Sequence, residues 1–405
     1  MKPHRFSLRA RLMIVFRAHV WPRLLWLATP LLLIKRRVRP VRVTVEQLKG
    51  KVRGADFHLE ILCGITEQTR HHVLELMFET PPASTNLGVM KLLNAFRNLR
   101  QLAPKAELAW LPSTASQHAW LDDSTWFSIP QWVQGHISLP LDEKVLRQDS
   151  MKTTLRLIRR HGYECVIKRD HKSFEDFYHR MHEPYIRKNF GAGACLDSLA
   201  EKRADIEEFD LLLVQKKSQP GEYLAGFVII YEPNAPRLWS LGVRDGDHGL
   251  VRDGVLAALY VFCFDFLTGK GFKNVYLGGS RPFLRDGVLN FKRRRSQRLT
   301  GFQWEGFSLK VLQLTPGVKH FLLQNPFAFR SRGQLHGAVF ATAPVTPEKI
   351  TALHGDFYHA GFGRMIIWVF LEGETSALPP VPAQLAGQVE LRSATELLAD
   401  NLHLP

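Results

Sequence analysis

A chain of 405 residues with 45% hydrophobic content has room for two or three domains and a sizeable core, which excludes global disorder. Its 54 Lys and Arg against 38 Asp and Glu leave a formal charge of +16, which points to an anionic partner: nucleic acid, anionic lipid or a phosphorylated substrate. Four scattered cysteines, Cys63, Cys165, Cys195 and Cys263, make no CxxC pair and no Cys/His cluster of zinc spacing, so no metal centre is expected and a reducing cytoplasm fits best.

Residues 1–40 set Arg5, Arg9, Arg11, Arg17 and Arg23 around apolar runs and close on Lys35, Arg36, Arg37 and Arg39. The run from Leu24 to Ile34 is 11 residues, against roughly 20 needed to cross a bilayer. Extending it backwards takes in Arg17, His19, Pro22 and Arg23. The segment therefore reads as a basic amphipathic helix lying in the membrane interface, its bases toward lipid phosphates. The expected location is cytoplasmic, peripheral on the inner face of the cytoplasmic membrane.

Residues 41–140 read as a first α/β unit. FHLEILC is a strand, and Thr66 caps a helix running to about Phe78. After the PPASTN break, Leu87, Met90, Leu93, Phe96 and Leu99 recur at helical spacing from Thr85 or Asn86 onward. AELAWLP is a strand, and Trp120 to Pro140 reads as two more short ones. From Asp142 to His161 a helix is expected with Leu146, Leu155 and Ile158 as its apolar side. It carries Lys144, Arg147, Lys152, Arg156, Arg159 and Arg160, either as a solvated face or as a surface tracking RNA or lipid phosphates.

A regular order follows. YECVIK is a strand; Ser173 with Asp176 reads as a capping box for a helix to about Lys188. Leu199 to Phe209 is a second helix, and DLLLVQKK, EYLAGFVIIYE and RLWSLGVRD are three strands in succession. An apolar helix over 250–267, a strand over 274–278, a helix opened by Asp286-Gly287 and the strand FSLKVLQL complete it. Around Gly279, Ser280, Arg281 and Lys292 this strand, glycine turn and helix make an anion-binding corner, because exposed backbone N–H groups and helix N-termini favour phosphate. Asp286 reads as the N-cap of its helix. Beyond Leu312, residues 313–378 read as a β-α-β extension, LHGAVFATA and RMIIWVFLE flanking a helix that Thr346 caps and Pro347 opens. Residues 379–405 are a tail with a short helix near Ser393.

The order β-α-α-β-β-β-α-β-α-β resembles that of the GNAT acyltransferase superfamily, in particular the GNAT half of Fem-type aminoacyltransferases and related bacterial GNAT N-acyltransferases of envelope and polysaccharide biosynthesis. The resemblance rests on TTLRLIRRHGYECVI, HEPYIRKNFGAG and LGGSRPFLRDGVLNFKRR, and covers roughly Leu139 to Leu312. It implies a mixed twisted sheet flanked by helices, a GNAT unit over 141–312 and a degenerate GNAT-like unit in tandem over 41–140. It implies transfer of an acyl or aminoacyl group to an amine of a small-molecule or lipid-linked envelope precursor. No cofactor would be tightly bound; the donor co-substrate would be acyl-CoA, acyl carrier protein or aminoacyl-tRNA, and a membrane protein complex is a further candidate partner.

The resemblance also assigns roles. Strands four and five should splay near Val243 and Tyr276, leaving a cleft with Arg281 and Lys292 at its rim. His248 and Asp247 are the nearest candidates for a base, with Tyr276 beside them. Tyr185 and Arg187 lie in the acceptor loop. The pyrophosphate loop departs from the family pattern: in GVRDGDHGL, Arg244, Gly246 and Gly249 are mis-spaced, and Asp245 and Asp247 add negative charge. Two other readings stand beside the enzyme: a non-catalytic GNAT-like module binding RNA or anionic lipid, and a scaffold in a membrane polymer-synthesis complex.

Overall fold

The computed structural model describes residues 41–64, 67–113, 125–191, 196, 198–200, 208–293, 297–371 and 378–399. The expected amphipathic helix in residues 1–40, Cys195 and most of the expected helix over 199–209 lie outside them.

The described chain is mixed α/β and built on one fifteen-stranded sheet. Its first half comprises β1 (Arg42–Lys51), β2 (His58–Cys63), helix α1 (Glu67–Met77), β3 (Ala83–Lys91), α2 (Leu92–Arg97), α3 (Leu99–Leu102), β4 (Leu108–Ser113) and β5 (Trp126–Ser138). Then come α4 (Glu143–Leu146), α5 (Asp149–His161), β6 (Tyr163–Lys168), α6 (His171–Phe177), a π-helical turn (Tyr178–His182) and α7 (Glu183–Phe190). Strands β7 (Phe209–Lys216), β8 (Ala225–Tyr231) and β9 (Pro236–Val243) lead to α8 (His248–Arg252), α9 (Val255–Gly269), β10 (Asn274–Ser280), α10 (Gly287–Arg293) and β11 (Arg298–Val311). The remainder is α11 (Pro316–Gln324), β12 (Phe327–Ser331), β13 (Gln334–Thr342), α12 (Pro347–Phe357), β14 (Phe362–Phe370) and β15 (Val389–Ser393).

The main path through the sheet is β3-β1-β2-β4-β11-β5-β10-β9-β8-β7-β6, with β12 to β15 branching from β5. The half built from β6 to β9 with α9 has the GNAT-like order. Its strands alternate cleanly: Leu212 and Val214 face α9, which is buried along Val255, Leu259, Cys263 and Leu267, while Leu211 and Leu213 face Phe174, Phe177 and Met181 of α6 and the π turn. The other half packs Leu59, Ile61, Trp110, Phe127 and Leu309 against α1 and α11 on one face, and Leu111 and Trp126 against α2 on the other.

Several expectations change. Trp126–Ser138 is one long strand, not two short ones, because it is the seam that bonds β11, β10 and β12. The stretch from Thr85 is strand as far as Lys91: pairing with β1 overrides its helical spacing, and helix starts only at Leu92. The cap of α6 is Asp170, which accepts from the Ser173 N–H at 2.8 Å, rather than Ser173 itself. Leu146 and Leu155 point outward, and α5 packs through Thr154, Leu157 and Ile158 instead. As expected, Thr346 caps α12 and Ser393 opens a short capped helix; β13 and β14, on either side of α12, run parallel. No helix among the described residues is long and apolar enough to cross a membrane.

Candidate active site

Strands β9 and β10 run parallel and meet at a single register, Tyr276 against Arg237. Beyond it they part, β9 remaining on β8 and β10 on β5, with a bulge in the β10–β5 pairing between Tyr276 and Gly279. Gly278 makes the bulge. Its φ is +72°, and a Cβ there would overlap the carbonyl oxygen of Leu238 on β9, so only glycine fits at the point where the strands diverge. The expected splay is present, but its geometry differs in one respect. Val243 is not beside Tyr276; it pairs with Ala225 and is fully buried.

The edge of β9 that faces the gap can be read from its hydrogen bonds. Arg244 donates its N–H to the carbonyl of Leu224, the residue just ahead of β8. Alternation along an antiparallel pair then turns Gly242 to β8 as well, and Leu241 and Val243 to the gap. The Leu241 carbonyl accepts a hydrogen bond from His182 Nδ1 at 2.7 Å. His182 ends the π turn, which lies so close over β9 that a Cβ on Gly242 would overlap the His182 backbone. Since Nδ1 donates, a neutral His182 ring carries its lone pair on Nε2.

From the other side, Lys292 enters from α10. Its Nζ donates to the carbonyl oxygens of Gly279 at 2.8 Å and Gly278 at 3.2 Å. The side chain is buried, not at a rim: burial pushes the ammonium down to about 7, with Asp286 opposing. Asp286 caps α10, accepting from the Leu289 N–H at 2.9 Å. Near the bulge, Ser280 Oγ and Gln134 Oε1 are buried without a hydrogen-bond partner among the described residues. Gln134 registers with Gly279, and Trp132 packs under Gly279 at 3.5 Å from where a Cβ would sit. His136 registers with both Tyr276 and Arg298; burial lowers its pKa, with the Arg298 charge adding to the effect. Arg281 is half-buried directly after β10.

The remaining expected residues fall elsewhere. Asp247 is the N-cap of α8, accepting from the Gly249 N–H at 2.6 Å, and both it and His248 are exposed. They follow Val243, six residues along β9 from Arg237, a run of roughly 20 Å. Tyr276, Asp247 and His248 are therefore not brought together. In the loop of Arg244, Gly246 and Gly249, the amides of residues 244, 247, 249 and 251 are already paired with protein acceptors. The Asp247 carboxylate occupies the helix N-terminus that a pyrophosphate would need. Arg187 is tied to Glu183 one turn back at 2.8 Å, and Tyr185 is half-buried, packed against the core around α9; burial raises its pKa.

No family model matches the chain, and no curated protein does. Among solved structures it is similar to L-PGS from Bacillus licheniformis at 10% identity and a TM-score of 0.33, over 65% of this chain and 80% of that one. It is similar to FemX at 10% identity and a TM-score of 0.34, over 67% and 89%, and to a GCN5-related N-acetyltransferase from Kribbella flavida at 9% and 0.25, over 74% and 64%. The fold is GNAT-like. What makes it so is the strand order and the gap between β9 and β10, since these likenesses are distant.

His182, Gln134, His136 and Gly278 escape a sequence reading. His182 sits in a mixed polar and aromatic helical stretch, YHRMHEP, and a π turn has no signature in sequence. The polar face of β5 is legible only once Trp126–Ser138 is taken as a single strand, when Ser128, Gln134 and His136 fall on one side.

No cluster of three or more His, Cys, Asp or Glu that could hold a metal ion occurs among the described residues.

Proposed function

We propose that the protein is an N-acyl- or aminoacyltransferase whose acceptor is an amine of an envelope or polysaccharide precursor, small or lipid-linked, met at the cytoplasmic face of the membrane. The observation that supports this most is Lys292, a buried amine held on the carbonyl groups of a bulge where two parallel strands part. As an ammonium it has three N–H groups, two of them engaged by Gly278 and Gly279, so one is left for the oxygen of a donor carbonyl.

In the proposed reaction the acceptor nitrogen attacks the donor's thioester or ester carbonyl. A C–N bond forms, the carbonyl electrons move to oxygen, and collapse breaks the C–S or C–O bond. The amine loses one proton and the departing thiolate or alkoxide gains one. Lys292 steadies the oxyanion, and Leu241 and Val243 offer backbone groups along which an extended donor can align. His182, its Nδ1 committed to Leu241, is the candidate to receive the amine proton at Nε2. Arg281 supplies positive charge at the mouth.

The Asp247 carboxylate at the start of α8, where the pyrophosphate of acyl-CoA would need a helix N-terminus, favours aminoacyl-tRNA or an acyl carrier protein over acyl-CoA. The test is direct. The full chain is incubated with radiolabelled acyl-CoA, acyl carrier protein and aminoacyl-tRNA donors, each with amine-bearing lipid-linked and soluble acceptors. Label appearing in an acceptor, and lost in Lys292→Met, is the expected result. Absence of both turnover and donor binding with every donor would end the proposal.

A further inference from the structure

Helix α5 turns its bases and an exposed leucine to the same side. Lys152, Leu155, Arg156 and Arg159 are spaced three and four apart, so they share one face, and Arg160 lies at its border. All five side chains are exposed. Leu155 is 40% exposed and Leu146, on the adjoining α4, is 45% exposed next to Arg147. Arg147 is paired with Glu143 and Lys152 with Asp149, whereas Arg156, Arg159 and Arg160 have no carboxylate partner among the described residues.

A solvated helix explains part of this. Arg159 and Arg160 fall in the last turn, where cations favour the helix dipole. That does not account for Arg156, nor for two leucines left out of a core that has taken in Thr154. Bases interleaved with exposed leucines match a surface that is negative at the phosphates and apolar just beneath them.

We propose that this face docks the protein on an anionic phospholipid bilayer, with Leu146 and Leu155 entering the acyl boundary and Arg156, Arg159 and Arg160 set against lipid phosphates. RNA offers the same phosphate charge but gives the leucines nothing to enter. The surface would bring the proposed site to a lipid-linked acceptor, yet it does not rest on the transfer reaction, and binding is read without any turnover.

The experiment is co-sedimentation of the full chain with phosphatidylglycerol-containing vesicles and with pure phosphatidylcholine vesicles, at low and high salt. Binding should need phosphatidylglycerol and weaken with salt. The triple variant Arg156→Ala/Arg159→Ala/Arg160→Ala should lose affinity roughly a hundred-fold, about five-fold for each base near the surface. The pair Leu146→Ser/Leu155→Ser should also bind vesicles less tightly, while filter binding to single-stranded RNA stays unchanged. Thermal melts control for folding; removing these exposed side chains should lower them only slightly, by the loss of two bases from the last turn of α5. Equal binding to phosphatidylcholine, a triple variant that binds like the parent, or a leucine pair without effect on vesicles would each overturn the proposal.

Discussion

Lys292 reaches from α10 to the carbonyl oxygen of Gly279 at 2.8 Å, which makes a basic side chain part of the wall between two diverging strands. The consequence is electrostatic. The folded protein holds this amine at about 7, against an ordinary lysine at 10.5. Between those values the folded chain binds fewer protons than the unfolded one, so stability rises with pH across the window and is lost as pH falls through about 7. Relative to Lys292→Met, the parent should therefore gain a few kcal/mol from about pH 7 to about pH 10. Denaturant melts of both proteins across that range give the difference, and a flat one would mean that the amine is solvated.

The same substitution bears on activity. Loss of a preorganised donor at a developing oxyanion costs about 100- to 1000-fold in kcat, and Lys292→Met should fall in that range with donor binding largely kept. Arg281→Ala, at the mouth, should instead raise the apparent donor KM. Unchanged function in the double variant Arg281→Ala/Lys292→Ala would favour the binding-module or scaffold reading.

Gly278→Ala tests the bulge. A non-glycine residue at φ +72° is strained by about 1–3 kcal/mol, and the added Cβ would also overlap Leu238 on β9. The variant should unfold at lower denaturant than Gly287→Ala, where a Cβ meets nothing within 4 Å. Equal midpoints would show that the two strands are not pinned together there.

These two positions also mark what the sequence reveals and what it conceals. The strand–turn–helix of LGGSRPF and Asp286-Gly287 is legible because glycines and a capping aspartate punctuate it, and the apolar helix over 255–269 is legible from its unbroken hydrophobicity. The direction of Lys292 is not. A lysine at the head of a basic run reads as solvent-facing, and only the packing of Leu284 and Leu289 with Val133 turns α10 so that this one side chain goes inward. Asp247 and His248 read as the nearest candidates for a base because they follow the right strand, but a carboxylate just ahead of a helix does its local work first, on the Gly249 amide. The strand at Ala83–Lys91 shows the converse: leucine and methionine at helical spacing yield to an available sheet edge.

Asp247 can accordingly be separated from catalysis. If its role is to cap α8, Asp247→Ala should cost about 1 kcal/mol of stability, Asp247→Ser should recover most of that, and turnover should follow neither. A loss of kcat that serine does not restore would return Asp247 to the reaction.

A final prediction concerns Asp210, buried at the other end of the GNAT-like half. Its carboxylate accepts from Arg169 Nε at 2.5 Å, from Lys270 Nζ at 2.5 Å and from the Tyr231 hydroxyl. Burial alone would raise its pKa, but the hydrogen bonds from Lys270, Tyr231 and Arg169 together outweigh this and hold it below the usual carboxylate value. Burial and the same carboxylate push the Tyr231 hydroxyl well up, so it stays a donor. Lys270 closes the end of α9 and Tyr231 the end of β8, so the cluster ties helix to sheet at the start of β10. A carboxylate with a depressed folded pKa contributes stability at neutral pH that disappears as pH drops through that value. Asp210→Asn removes the charge but leaves two partly solvated cations on either side of a neutral amide, and should cost about 1.5–3 kcal/mol at neutral pH. The gap to the parent should shrink on acidification, because the parent's carboxyl then takes up its own proton. Melts at neutral and acidic pH decide it: a penalty that does not change with pH would make Asp210 a packing residue rather than the charge at the centre of the cluster.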